Sequence, residues 1–249
     1  MSDPASLLAK QVTRKYQGKV EFVSENYGDS ELAKRFGVTR YPVIFVDDVV
    51  VARPRDFGFF GAGENSGRYT PWRDAKNHEK FKADLDRMIG LVMSGKKEAL
   101  RAEHADSKDA AEIASLPQYS LTDLNGKPLT TEQAAGRVVV VEFWATWCPP
   151  CRSTLAWLGE MKKKHGDGVA VLALAVESQE PDVRKMAGEF HRDVGWAIGT
   201  PEVAAAFGDV VSVPTLFVFD RSGKTASVFY GAPADLHDKA EKLIESLLR

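Results

Sequence analysis

The chain has 249 residues, 44% hydrophobic and 27% charged, with a formal net charge of −2. That length suits one large or two medium domains, and the near-neutral balance excludes the cationic footprint of a nucleic-acid binder. No apolar run approaches the roughly 18 residues of a membrane span, and Met1-Ser2-Asp3-Pro4 does not open a signal peptide, so the sequence as given reads as cytoplasmic.

Taken in chain order, Leu7 to Lys15 predicts a helix, followed by Gly18 and a strand, Val20-Glu21-Phe22-Val23. Glu31-Leu32-Ala33-Lys34-Arg35-Phe36 predicts a second helix closed by Gly37. An apolar–Pro junction, Tyr41-Pro42, then leads into the strand Val43-Ile44-Phe45-Val46-Asp47. Residues 53–77 lack periodicity and contain Gly58-Phe59-Phe60-Gly61-Ala62-Gly63 and Gly67-Arg68-Tyr69-Thr70-Pro71-Trp72. This is neither a phosphate loop nor a dinucleotide fingerprint. It reads as an insertion packed on its own domain or as an aromatic binding surface. Phe81, Leu85, Met88, Ile89, Leu91 and Val92 predict an amphipathic helix over 79–93 that closes a first domain, residues 1–94. Residues 95–115, rich in Ala, Lys, Glu and Asp, read as a polar helical linker to a second domain, 116–249.

In that second domain, Val138 to Ala145 is short, β-branched and aromatic without alternation, which predicts a buried parallel strand. Directly after it comes Trp147-Cys148-Pro149-Pro150-Cys151, holding the chain's only two cysteines. Leu155, Leu158 and Met161 continue with helical spacing, and Lys162, Lys163 and Lys164 supply a cationic end. Cys148 is therefore expected in the first turn of a helix, where the macrodipole favours a thiolate and lowers its pKa. A thiolate is the attacking species in disulfide exchange, and Cys151, one turn on, can resolve the mixed disulfide. Pro149 pre-sets helical φ where its missing N–H costs nothing. Pro150 also lacks an N–H, so the Cys148 sulfur must take its first backbone donor from Cys151 or beyond. The other readings of this spacing are a structural disulfide and half a zinc site. Zinc needs two further ligands, and His78, His104, His165, His191 and His237 are scattered, so no metal site is expected.

The two halves repeat one another. Glu31 to Gly37 recurs as Glu202-Val203-Ala204-Ala205-Ala206-Phe207-Gly208, and Tyr41-Pro42 with its strand recurs as Val213-Pro214 and Thr215-Leu216-Phe217-Val218-Phe219-Asp220. Upstream, Leu7–Lys15, Gly18 and Val20–Val23 correspond to Leu155–Lys164, Gly168 and Val169–Val176. Gly168 lies 17 residues after Cys151, and 17 residues before Gly18 is Met1. The first copy therefore begins where its own active-site turn would end, without its first strand and without a cysteine pair.

The run Leu116 to Leu129 with Asn125-Gly126-Lys127, the strand through Glu142, Phe143-Trp144-Ala145-Thr146-Trp147-Cys148-Pro149-Pro150-Cys151-Arg152, Val213-Pro214-Thr215 and Phe219-Asp220-Arg221-Ser222-Gly223 together resemble the TlpA/ResA-like thiol–disulfide oxidoreductases of the thioredoxin fold. The resemblance covers residues 116–249. It implies an α/β fold with a four- or five-stranded mixed sheet flanked by helices; the chain as a whole is expected to hold two tandem thioredoxin-like domains, the first lacking its N-terminal strand and CxxC turn. It implies a cis Val213–Pro214 bond, with Val213, Pro214 and Thr215 placing an extended substrate segment beside the dithiol. Glu142 stands six residues before Cys148, where thioredoxins carry a buried acid, and is expected to have a raised pKa and to accept the Cys151 proton. Trp147 and Pro149 are expected to contact substrate, with Trp147 shielding the dithiol; Trp144 reads as core.

The expected activity is reduction of protein disulfides through a Cys148/Cys151 dithiol, with no cofactor besides that redox-active pair. The expected partners are disulfide-bearing proteins and an upstream electron donor. A peroxiredoxin-like peroxidase is the second enzyme reading, although Thr146 and Pro149 do not reproduce the peroxidatic-cysteine spacing. From another class comes an interaction protein whose first domain recruits a client, or a copper chaperone using both thiols as ligands. TlpA-like proteins work outside the cytoplasm, so an extracytoplasmic site is the alternative location.

Overall fold

A computed structural model describes residues 4–25, 30–58, 60, 67–72, 74–105, 112–190, 193–208 and 210–249. The chain divides into two compact units, Met1–Asp109 and Ala110–Arg249.

Unit 1 contains α1 (Pro4–Thr13), α2 (Glu31–Phe36), β1 (Ile44–Val46), β2 (Val49–Ala52), α3 (Pro54–Phe57), α4 (Ala75–Met93) and α5 (Lys97–Glu103). The Ser30 hydroxyl caps α2 by accepting from Ala33 N at 2.8 Å, and Gly37 ends it in the left-handed region at φ 62°. The Tyr41–Pro42 peptide is cis, and β1 and β2 form an antiparallel pair. On α4 the apolar positions Phe81, Leu85, Met88 and Ile89 make one stripe, which packs with Val46, Val49, Val51 and Tyr69 into the core.

Three expectations change here. Val20 to Val23 forms no strand. In unit 2 the corresponding segment is stabilised by a neighbouring parallel strand; unit 1 has no such neighbour among its described residues, and a strand without a partner leaves its N–H and C=O groups unpaired. For the same reason the sheet of this unit is the β1–β2 pair and not a central mixed sheet. The segment read as a polar helical linker is helical as α5, but its Leu100 is fully buried in the unit 1 core. The arm Arg87–Glu103 ties α5 back to α4 with nitrogen–oxygen contacts of 2.9 and 2.5 Å. In the 53–77 stretch, Phe57, Tyr69 and Trp72 close on Phe81 with ring centroids 4.9 to 6.4 Å apart, so these aromatics pack inside their own unit. Residues 59, 61–66 and 73 of that stretch, and His191, lie outside the described residues.

Unit 2 contains β3 (Ser120–Thr122), β4 (Pro128–Thr130), β5 (Val138–Trp144), α6 (Pro149–His165), β6 (Val169–Ala175), α7 (Glu180–Ala187), β7 (Gly195–Ile198), α8 (Pro201–Ala206), β8 (Thr215–Phe219), β9 (Thr225–Tyr230) and α9 (Leu236–Leu248). Its main sheet has the order β7-β6-β5-β8-β9, parallel across β7, β6 and β5 and antiparallel across β5, β8 and β9. β3 and β4 pair separately. Every residue of β5 and β6 is buried, because both faces of the sheet are covered; this is why these strands read as continuous apolar runs. Alternation sends Val138, Val140 and Trp144 of β5 to the face packed with Leu155, Leu158 and Met161 of α6 and Leu236, Ala240 and Ile244 of α9. The opposite face holds Phe143, Phe207 and Phe217, with ring centroids 5.2 to 5.9 Å apart. This arrangement is a thioredoxin-like α/β fold with a central sheet and flanking helices.

Candidate active site

The site is built where β5 ends and α6 begins. Cys148 is the N-cap of α6, with φ −96° and ψ 100°, and Pro149 and Pro150 occupy the first two helical positions. Its backbone N–H donates to Ala145 O at 3.1 Å, and its carbonyl accepts from Cys151 N at 3.2 Å. Two prolines at the start leave Cys151 N–H as the first helical donor, and it serves the Cys148 carbonyl. Cys148 and Cys151 are joined as a disulfide, with Sγ atoms 2.08 Å and Cα atoms 5.4 Å apart. Cys151 is fully buried and Cys148 is 3% exposed, so what opening there is lies at Cys148.

The turn before Cys148 is fastened from a distant segment. Thr146 N donates to Ser178 Oγ at 2.9 Å, and Ser178 Oγ donates to Val176 O at 2.9 Å. Trp147 is 52% exposed, and its indole Nε1 donates to Glu177 O at 3.0 Å, which fastens the ring to the segment after β6. Ser178 and Glu177 were not legible as site residues, because they lie some 30 positions away and belong to no local motif. Pro149 and Pro150 are exposed on the same helix terminus.

Val213, Pro214 and Thr215 enter β8. The Val213–Pro214 peptide is cis, and Val213 packs against the same core cluster that contains both cysteines. Pro214 O accepts from Gly231 N at 2.8 Å, and the buried Thr215 hydroxyl donates to Ser212 O at 2.7 Å. Cys148 and Cys151 thus belong to one core cluster, and Val213 packs against that cluster.

Glu142 stands in the middle of β5, opposite Ala173 of β6 and Leu216 of β8. It is fully buried, and neither carboxylate oxygen has a hydrogen-bond partner among the described residues. Burial alone pushes its pKa well above the usual carboxylate range, because a charge without a partner is disfavoured in an apolar layer. Its even position puts it on the Val140–Trp144 side of the sheet, the side on which α6 and the cysteines pack. Thr154 of α6 and the indole nitrogen of Trp144 are likewise buried without partners in this layer. Trp144 is core, as its sequence position suggests, with Trp196 edge-on at 5.8 Å.

Potential metal ligands converge elsewhere. Among the described residues, His165, Glu241 and Glu245 group at the far end of α6. There the Lys164 ammonium bonds both carboxylates, at 2.5 and 2.8 Å, forming an ion-pair network.

The model of the Redoxin family matches residues 111–244, the part of the chain that holds this site. The thioredoxin-like protein YneN of Bacillus subtilis (strain 168) is 30% identical over 118 residues, covering 46% of this chain and 69% of that protein. The thiol-disulfide oxidoreductase ResA of the same organism is 26% identical over 140 residues, covering 55% of this chain and 78% of that one. Among solved structures, a thiol:disulfide interchange protein of the thioredoxin family from Chlorobium tepidum TLS is 28% identical, with a TM-score of 0.50, over 57% of this chain and 100% of that chain.

Proposed function

The chain belongs to the Redoxin family and is a TlpA/ResA-like thiol–disulfide oxidoreductase of the thioredoxin fold; from that premise we propose that it works as a reductant of protein disulfides. The observation that carries this reading is the cysteine pair at the first turn of α6, with the opening at Cys148 and Cys151 sealed behind it.

In the proposed cycle the Cys148 thiolate attacks one sulfur of the substrate disulfide. A Cys148–substrate S–S bond forms, and the other substrate sulfur leaves as a thiolate that takes a proton from solvent. Glu142, as carboxylate, then accepts the proton of Cys151. The Cys151 thiolate attacks Cys148 Sγ, forming the intramolecular disulfide and releasing the second substrate thiolate, which is also protonated. Two electrons pass to the substrate, and an upstream dithiol donor restores the pair. Val213 at the entry to β8 is the proposed backbone partner for an extended substrate, flanked by Pro214 and Thr215. Trp147 and Pro149 form its apolar contact.

Unit 1 is read as a shortened second copy of the fold that does no redox chemistry. The order of elements supports this. With α3 inserted before α4, the order α2, Tyr41–Pro42, the β1–β2 pair and α4 matches α8, Val213–Pro214, the β8–β9 pair and α9 of unit 2. Gly37 and Gly208 stand at φ 62° and 82° after the matched helices.

Insulin reduction with dithiothreitol as donor tests the activity. The intact protein is expected to turn over, Cys148→Ser to fall to background, and Cys151→Ser to accumulate a mixed disulfide visible by mass. Equal turnover of the intact protein and Cys148→Ser would sink the mechanism.

A further inference from the structure

The layer between β5 and α6 holds polar groups that the disulfide form leaves without partners. Both oxygens of Glu142, the Thr154 hydroxyl and the Trp144 indole N–H are buried and make no hydrogen bond to any described residue. Buried polar groups are almost always satisfied, so several in one layer beside a redox centre point to a second state in which they are used. Thr154 lies three residues after Cys151, one turn along the same helix face, and is fully buried with Leu155 and Leu158 on the side turned to the sheet. Glu142 lies on the sheet face that this helix covers, in register with Ala173 of β6.

We propose that Thr154 is a positioning residue of the redox cycle, its hydroxyl donating to the Glu142 carboxylate in the dithiol state. The inference rests on the proton-acceptor reading of Glu142. In the disulfide form burial raises the carboxyl's pKa and so favours its neutral form, which needs no strong donor. In the dithiol form, before it takes the Cys151 proton, it must exist as a buried carboxylate, and a bare carboxylate there is too costly. A threonine hydroxyl can serve that state and idle in the other, because its hydrogen rotates without moving the helix. Trp144 is less suited, as its ring is fixed edge-on against Trp196. Besides Glu142, the ionisable side chains inside the layer among the described residues are Cys148 and Cys151. Lys162 of α6 is turned to Gly166 O and Val169 O at 2.7 and 3.0 Å, and His237 of α9 is stacked on Trp157.

The test is the pH profile of single-turnover reduction of a small dye disulfide by the pre-reduced full chain, following release of the second thiol. Thr154→Val keeps shape and burial and removes the donor. It is expected to move the Glu142-dependent limb to higher pH by about one unit or more, the size expected for losing a hydrogen bond to a charged group. Thr154→Ser is expected to restore the native position. Glu142→Gln is expected to remove the limb. If Glu142→Gln keeps the limb, both this inference and the proton-acceptor reading are overturned. If Glu142→Gln removes it while Thr154→Val overlays the intact protein, only the role of Thr154 is overturned. Folding is checked in the same samples by far-ultraviolet circular dichroism, and Thr154→Ser supplies the profile if the valine variant does not fold: its limb is expected at the native position, and a limb displaced from there contradicts the inference.

Discussion

Unit 1 and unit 2 share a chain order of helix, X–Pro junction, antiparallel strand pair and closing helix, but they differ in what stands at the centre. Unit 2 has β5, a strand with neighbours on both sides, and its sheet reaches five strands. Unit 1 has no counterpart of β5 among its described residues, and its sheet remains two strands. The difference teaches where chemistry can be placed on this architecture. β5 ends at the helix terminus that carries Cys148, supplies Glu142 from its middle, and gives β6 and β8 their partners. Take it away, and Val20–Val23 loses its strand while the site loses its floor.

That contrast can be broken or sharpened by experiment. The largest effect is expected from the core of unit 1. Phe81 is buried among Phe57, Tyr69 and Trp72, and Phe81→Ala should cost that unit about 3–5 kcal/mol, enough to unfold a small core. Turnover of a small disulfide should nevertheless stay within about twofold, because the family match and the site both lie in unit 2. Denaturant unfolding and a dye-disulfide assay on one preparation measure both. A parallel collapse of turnover would mean that the units are not separable.

A smaller effect concerns pH. Burial raises the Glu142 pKa above the ordinary 4.5. An acid raised in the folded state gives its full stability below the unfolded value, and that contribution is lost as pH rises toward the folded value. The disulfide form should therefore weaken on going upward from about pH 4.5, by about 1.4 kcal/mol for each unit separating the two pKa values, and Glu142→Gln should flatten that dependence. Urea unfolding at a series of pH values decides it. An identical slope in the variant would contradict the buried, neutral carboxyl. Unit 1 has no counterpart of β5 among its described residues, so its own transition should not share the slope.

The smallest effect is expected at the rim. Trp147 is half exposed, and its hydrogen bond to Glu177 O fastens it to the segment after β6. Trp147→Ala should slow reduction of a protein disulfide by about three- to tenfold through loss of an aromatic contact worth about 0.5–1.5 kcal/mol. A small dye disulfide, which does not span the ring, should react at the native rate. Equal losses on both substrates would assign the ring to the dithiol and not to the partner.

The sequence by itself determined the elements whose cause is local. Continuous burial of Val138–Trp144 was written as an unbroken apolar run, the α6 terminus as Cys148 followed by two prolines, and the repeat as two helix–Gly–X–Pro–strand segments. Glu142 was legible as a buried acid through the thioredoxin resemblance, which places one six residues before the first cysteine. Tertiary structure alone decided what depends on partners distant in the chain. Val20–Val23 has strand composition and no strand, since pairing needs a neighbour that propensity cannot supply. Leu100 makes α5 part of a core, although the surrounding composition reads as a polar linker. Ser178 and Glu177 reach the active-site turn from the loop after β6. Thr154 belongs to no sequence motif; only the packing of α6 on β5 puts its hydroxyl in a buried layer with Glu142.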